Sequence, residues 1–222
     1  MSFRPKETLT EQVALHLENM IVTGQLRSGQ RIYENAMAKE LEVSHGSIRE
    51  ALLVLEKRYL VVNISRKGTF VTELNANFVR GLYEALLLVL GNTGGKLARH
   101  WQPADMERLE SLYERMKGFY EQGNLLGFLD LGIEYTQASL AYADNFFITT
   151  MINDLWPSAK RCSFLALRQG MSVIKDNLDY MRRSLDALQA RDEAALQRIL
   201  EEYATLQCEQ VLRCIEQAPR TG

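Results

Sequence analysis

Residues 34–57 read ENAMAKELEVSHGSIREALLVLEK, and the spacing of their apolar positions decides the fold of the first third of the chain. Glu34 to Leu41 has the makings of a short helix and Glu42-Val43-Ser44 of a tight turn. From His45 to Lys57, Ile48, Leu52 and Leu55 then fall on one helical stripe. Two helices about a brief turn make a helix-turn-helix. Upstream, Thr8-Leu9-Thr10-Glu11 is a capping box, in which a hydroxyl and a carboxylate three residues apart satisfy orphan amides of a new helix. Val13, Leu17, Met20 and Ile21 continue that helix, and Gly24 supplies the left-handed residue that ends it. Downstream, Tyr59 to Ile64 and Thr69 to Thr72 are rich in β-branched and aromatic residues. Ser65-Arg66-Lys67-Gly68 between them is a hairpin loop, so a β-hairpin wing follows the three helices.

Composition bounds the rest. The chain has 222 residues, 46% apolar and 24% charged, with 4 Pro and 14 Gly, which suits a folded protein and excludes a disordered or collagen-like majority. Net charge is −2, so attraction to nucleic acid must come from local charge. Residues 1–72 hold ten Lys and Arg against eight Glu, whereas the remainder holds 16 basic against 20 acidic residues. The boundary falls near Glu73 to Asn77, and a basic head with an acidic body suggests separate tasks. Cys162, Cys208 and Cys214 are odd in number and form no C-x-x-C, so neither a disulfide framework nor a zinc knuckle is indicated. The apolar run Ala85 to Leu90 is far short of the ~20 residues that span a bilayer, and a cytoplasmic protein away from membranes is expected.

Beyond Asn77 the helical period persists. Breaks at Gly91 to Gly95, Pro103, Gly123-Asn124, Asp144-Asn145, Gly170 and Arg191-Asp192 predict six or seven helices, with Pro157 kinking or dividing one of them. The final helix, Asp192 to Glu216, is apolar on two flanks and is either central in the bundle or shared with a second subunit. The fold class is therefore mainly α. A winged helix-turn-helix occupies residues 1–74, and an all-α bundle of six or seven helices occupies residues 77–218.

A helix-turn-helix presents its second helix to the major groove of DNA. Ser44 stands at the cap of that helix, where its hydroxyl and the free amides of the first turn can meet a phosphate. His45 and Arg49, four apart, lie away from the Ile48 stripe, and an arginine there can fork onto a guanine or a phosphate. Arg66 and Lys67 at the wing tip suit the minor groove or the backbone. The same residues would also make an ordinary solvated helix and charged hairpin.

The stretch Leu9 to Val71 resembles the winged-helix domain of the GntR transcription regulators. Ile21 to Ile32 is similar to the family's opening, Val43 to Leu52 to its recognition helix, and Lys67-Gly68-Thr69-Phe70-Val71 to its wing. The helical body more loosely resembles the effector-binding domain of the FadR-like branch. The resemblance implies a homodimer on a short palindromic operator in double-stranded DNA, repression relieved by a small-molecule metabolite, and DNA contacts at Asn35, Ser44, His45, Ser47, Arg49, Arg66, Lys67 and Gly68. Family members commonly carry Arg where this chain has Asn35, and Arg-Thr-Pro where it has His45-Gly46-Ser47, so a different operator and weaker phosphate anchoring are expected.

Many FadR-like members hold a metal with one Asp and three His. Laid on that pattern, the four places fall at Gly132, Thr136, Met181 and Tyr203, and all four ligands are missing. Of the three His in the chain, His16 and His45 lie in the head, and His100 alone cannot gather an ion. No metal of this type and no cofactor are expected. Thr136, Met181 and Tyr203, with space left by Gly132, read either as plain core or as a pocket for a less charged effector, with Tyr83 or Tyr180 adding a hydroxyl. An anionic effector would want a cation, for which Arg80, Arg161 and Arg168 are candidates.

Catalysis finds no motif: G-x-S-x-G, H-E-x-x-H, the P-loop and G-x-G-x-x-G are all missing from the sequence. A regulator rather than an enzyme is expected. The alternative is a helical enzyme or ligand carrier whose winged head binds protein.

Overall fold

A computed structural model describes residues 8–217, apart from the side chain of Met171. Arg4 and Lys6, counted in the head's charge, and residue 218, the end of the expected helical domain, lie outside the described residues. The chain forms two compact units that divide between Leu74 and Asn75.

The first unit runs α1 (Leu9–Val22), β1 (Arg31–Ile32), α2 (Glu34–Glu40), α3 (His45–Lys57), β2 (Val61–Ile64) and β3 (Gly68–Val71). The capping box starts α1 as expected: Thr8 Oγ1 accepts from the Glu11 amide at 3.2 Å, and the Thr8 amide donates to the Glu11 carboxylate at 2.7 Å. Gly24 lies beyond the end of α1 with φ +81°. Between α2 and α3 the chain reverses through Glu42 at φ +54°, and the Val43 amide donates to Ala38 O. The strands form an antiparallel sheet in the order β1-β3-β2, with Val61 opposite Val71 and Ile64 opposite Gly68. Strand β1 was not foreseen. Its two residues are too few to carry a period, and only pairing with Thr69 and Phe70 makes them a strand.

Leu17 and Ile21 of α1, Ile48 and Leu55 of α3, Leu60 just before β2 and Val71 of β3 are fully buried together. Burying side chains of this size gives roughly 1.5–3 kcal/mol each relative to exposure, which fixes the rotation of α3 about its axis. A largely buried carboxylate adds an ion pair to this core. Arg58, just past α3, donates to the Glu18 carboxylate at 2.7 Å, and the Glu18 side chain is only 9% exposed.

The second unit comprises α4 (Ala76–His100), α5 (Pro103–Glu121), α6 (Leu125–Gln137), a 3-10 turn (Ala138–Tyr142), α7 (Phe146–Leu167), α8 (Met171–Gln189) and α9 (Glu193–Gln217). Six α-helices and the short turn thus settle the helix count among the described residues. Pro103 opens α5, Asn124 and Asn145 cap α6 and α7, and Asp192 accepts from the Ala195 amide at the start of α9. The break expected at Gly91 to Gly95 is corrected: these residues lie inside the unbroken α4. A Cβ at Gly91 would stand 2.7 Å from Gln197 Oε1, and one at Gly94 would stand 3.4 Å from a Leu200 methyl. The glycines let α4 and α9 approach closely instead of ending a helix. Pro157 is buried within a continuous α7, which it does not divide.

Arg58→Met is expected to destabilise the protein by about 3 kcal/mol, because it leaves the Glu18 carboxylate buried without its cation, whereas Glu18→Leu/Arg58→Leu recovers most of the loss. Urea unfolding of the full chain measures both variants, and equal stability of Arg58→Met and the parent would contradict the assignment.

Candidate functional site

On the first unit, α3 keeps Ile48, Ala51, Leu52 and Leu55 inside and turns His45 and Arg49 to solvent. The Arg49 side chain is 73% exposed, and its Nε lies 3.7 Å from Glu34 Oε2 on α2. An exposed pair at that distance is worth little, so the guanidinium can exchange it for another partner. Ser44 is the N-cap: its Oγ accepts from the Ser47 amide at 3.1 Å and lies 2.9 Å from Ser47 Oγ. The amides of the first turn ahead of Ser47 have no carbonyl of the helix to bond and face outward at the positive end of its dipole. Asn35 is exposed at the start of α2, beside Glu34.

At the wing, Arg66 has φ +63° and Gly68 φ +97°, and both Arg66 and Lys67 are exposed. A side chain at Gly68 would meet the Arg31 guanidinium at 3.3 Å. Arg31 stacks over the rings of Tyr33 and Phe70, 5.0 and 6.0 Å from their centroids. Arg31 therefore adds an exposed cation beside the wing that sequence reading had not singled out, because its place depends on the unforeseen β1.

In the second unit two adjoining cavities of about 100 Å³ each share Leu90, Thr136, Met181, Leu200 and Tyr203 as common wall. Gly132, Thr136, Met181 and Tyr203, from α6, α8 and α9, all line one of them, together with Tyr83 of α4. Arg80 and Arg161 line neither cavity. Arg80 is exposed, while Arg161 is buried, and that burial lowers its pKa to about 10. Arg168 is exposed and lies over the Phe164 ring.

The polar wall joins Tyr203, named from the sequence, to Asn177 and Gln207, which were not. Tyr203 Oη donates to Asn177 Oδ1 at 2.7 Å, Asn177 Nδ2 donates to Val173 O, and Gln207 Nε2 donates to Asn177 Oδ1 and Gln210 Oε1. Lys160 also lines this cavity but is tied to Asp130 at 2.6 Å. Burial drives the Tyr83 and Tyr203 hydroxyls well above the ordinary tyrosine range, so both remain protonated donors at neutral pH. The spacing of Tyr203 and Gln207, four apart on one helix, was a signal available in the sequence.

The winged unit and the helical unit with its internal cavity together have the form of a DNA-binding regulator, and comparison with known proteins bears on that class. Residues 9–71 match the family described as bacterial regulatory proteins, gntR family, and residues 81–205, more than half of the chain, match the FCD domain. The chain belongs to the GntR family and carries an FCD domain. It is 25% identical over 191 residues to the gluconate operon transcriptional repressor of Bacillus subtilis, covering 83% of this chain and 77% of that one. It is 24% identical to the HTH-type transcriptional regulator YdhC of the same species, over 90% of both chains. A 29% match to the regulator Rv0043c of Mycobacterium tuberculosis covers 50% of this chain and 46% of that one. Among solved structures, E. coli McbR/YncC has the same fold, with a TM-score of 0.79 at 19% identity over 94% of this chain and 99% of that one. The gntR family is described as regulatory proteins, and these curated relatives are named as transcription regulators rather than enzymes. Among the described residues no helix is long and apolar enough to cross a membrane.

Among the described residues no three His, Cys, Asp or Glu converge as a metal site. Gly132, Thr136, Met181 and Tyr203 bring no carboxylate or imidazole to the cavity, so dialysis against EDTA is expected to leave the melting temperature unchanged, with less than stoichiometric zinc or nickel by elemental analysis. A stoichiometric metal whose removal lowers the melting temperature would contradict this.

Proposed function

We propose that the chain is a homodimeric, sequence-specific repressor whose operator affinity is set by a small molecule bound in the helical unit. In this reading residues 1–74 bind DNA, residues 77–218 sense the effector and dimerise, and the protein acts in the cytoplasm. The observation that carries it is the facing of α3: Ile48, Leu52 and Leu55 are buried while His45 and Arg49 project outward, and the wing tip of the same unit exposes Arg66 and Lys67.

Each residue then takes a role set by its chemistry. Ser44, Ser47 and the first-turn amides of α3 seat a phosphate, and Asn35, exposed on α2, adds a further polar contact to DNA. His45 and Arg49 read base edges, and Arg66 and Lys67 approach the backbone or minor groove next to Gly68. The sign of regulation is taken from the B. subtilis relative, which is named as a repressor. Dimerisation is supported by a run of exposed apolar side chains on α4 and α7, which pack on each other: Leu88, Phe146, Phe147 and Met151 are 45–80% exposed. Patches of this kind mark association surfaces, and a two-fold dimer offers two heads to two half-sites.

Operator selection from genomic fragments, followed by binding titrations across salt, tests the reading. Arg49→Ala is expected to weaken the selected site by about 1–3 kcal/mol and relax one base position, while Lys67→Ala weakens all sequences alike and lowers the salt slope by about one. Binding that is insensitive to salt and to Arg49 would refute DNA recognition through α3. For the dimer, Leu88→Asp/Phe147→Asp is expected to halve the mass seen by light scattering; an unchanged mass would place the interface elsewhere.

A further inference from the structure

Among the described residues, three buried side-chain polar atoms have no hydrogen-bond partner: Tyr83 Oη, Trp156 Nε1 and Gln207 Oε1. They come from α4, α7 and α9, and all three residues line the same cavity. Tyr83 and Trp156 are 8% exposed and Gln207 1%. Leaving one such atom unpaired costs more than a typical hydrogen bond returns, so three unpaired around one cavity are a set that invites a common partner. Ser163 lies close enough to Tyr83 to temper the rise in its pKa, but no hydrogen bond of normal geometry closes between them.

The hydrogen-bonding sense of each atom is fixed. An indole N–H only donates, and the Tyr83 phenol, held protonated by burial, has a proton to give. The orientation of the Gln207 amide follows from a chain of bonds. Asn177 Nδ2 is engaged by Val173 O, so Asn177 Oδ1 must accept from both Tyr203 Oη and Gln207 Nε2. Gln207 Nε2 is thereby committed, which leaves Gln207 Oε1 as an acceptor. The three residues, all of which line the cavity, thus hold two unpaired donors and one unpaired acceptor. The charged side chain there, Lys160, is already neutralised by Asp130.

Across the shared wall of Thr136, Met181, Leu200 and Tyr203 lies a mainly apolar lobe, lined by Leu97, Leu109, Leu188, Leu196 and Ile199, where the Tyr135 and Ser184 hydroxyls are bonded to each other. Met181, a flexible thioether, stands between the two lobes.

We propose that the helical unit binds an uncharged amphipathic small molecule with an amide-type head, its carbonyl accepting from Tyr83 and Trp156 and its N–H donating to Gln207. The apolar body of that molecule lies in the adjoining lobe. At about 100 Å³ per lobe, each part is a benzene-sized group or smaller. A carboxylate is disfavoured twice over, since it brings a charge without a free cation and sets a lone pair against Gln207 Oε1. The regulatory meaning of this ligand rests on the effector reading above, whereas its binding does not.

Three probes of nearly one shape separate the chemistries: hexanamide, hexanoate and heptan-2-one. Trp101 and Trp156 give two indole N–H resonances in ¹⁵N-labelled full-length protein, assigned with Trp101→Phe; the Trp101 indole is bonded to Leu188 O. Hexanamide is expected to shift the Trp156 resonance saturably, with affinity at least tenfold above hexanoate and several-fold above the ketone, the scale of one or two hydrogen bonds. Tyr83→Phe is expected to raise the melting temperature of the unliganded protein while weakening hexanamide about tenfold, a pairing that a purely structural hydroxyl does not give. Hexanoate binding as tightly as the amide, or a folded protein whose Trp156 resonance none of the probes moves, as when water alone satisfies the three atoms, overturns the proposal. Operator affinity measured in the same samples keeps the two readings apart. Saturable amide binding that leaves DNA affinity unchanged upholds the ligand class and refutes its role as effector.

Discussion

The second unit depends on the close approach of α4 and α9, both 25 residues long. Gly91, Gly94 and Gly95 present backbone where other residues would present side chains, and α9 places Gln197, Leu196, Leu200 and Glu193 against them. The contacts run antiparallel, Gly95 with Glu193 and Gly91 with Gln197, and further along the same pair of helices Tyr83 and Gln207 come to one cavity. Glycine inside a helix costs about 1 kcal/mol relative to alanine, so three in one stretch are sustained by the packing they allow. Moving the two axes apart by a methyl group would alter the cavity walls that both helices supply.

The winged unit obeys a simpler constraint. In a helix each residue turns about 100° from the last, so burying Ile48, Leu52 and Leu55 determines where every other side chain of α3 points. Arg49 and His45 face outward because their neighbours must not. The Ser44 cap and the left-handed turn at Glu42 then set where α3 begins. A one-residue slip in that start would turn His45 by the same 100° and dissolve the surface.

Periodicity and punctuation made most of the elements legible, since α1, α2, α3, the wing hairpin and the boundaries at Pro103, Asn124, Asn145 and Asp192 are all written locally. The failures have a common cause in non-local pairing. β1 exists only through its partner strand, and Gly91 to Gly95 read as a break because the helix that packs on them is a hundred residues away in sequence. Of the cavity residues, Tyr83, Thr136, Met181 and Tyr203 could be named from the sequence, and they do meet. Trp156 and Asn177 could not, because a tryptophan or an amide on a helix carries no mark of whether its partner is solvent, backbone or nothing, and Gln207 is marked only by lying one turn after Tyr203. Arg80 and Arg161 were candidates by charge alone, and charge does not say which way a side chain faces.

A cavity with balanced charge selects its ligand differently from one built around an ion. Where a cation is present, attraction to an anion is strong at any orientation and shape does the sorting. Here Lys160 is held by Asp130, and what remains are directional groups in a low-dielectric surround, where an unmatched polar atom is costly and a matched one gains modestly. Selection then works by rejection, because a ligand lacking either the acceptor or the donor leaves part of the wall as poorly satisfied as before. For such a site to control DNA it must distinguish two arrangements of the protein by free energy, and three orphaned groups drawn from three helices supply the means. A ligand that satisfies all of them favours whichever arrangement of α4, α7 and α9 lets it do so at once, and any arrangement that separates the three helices forfeits part of that gain.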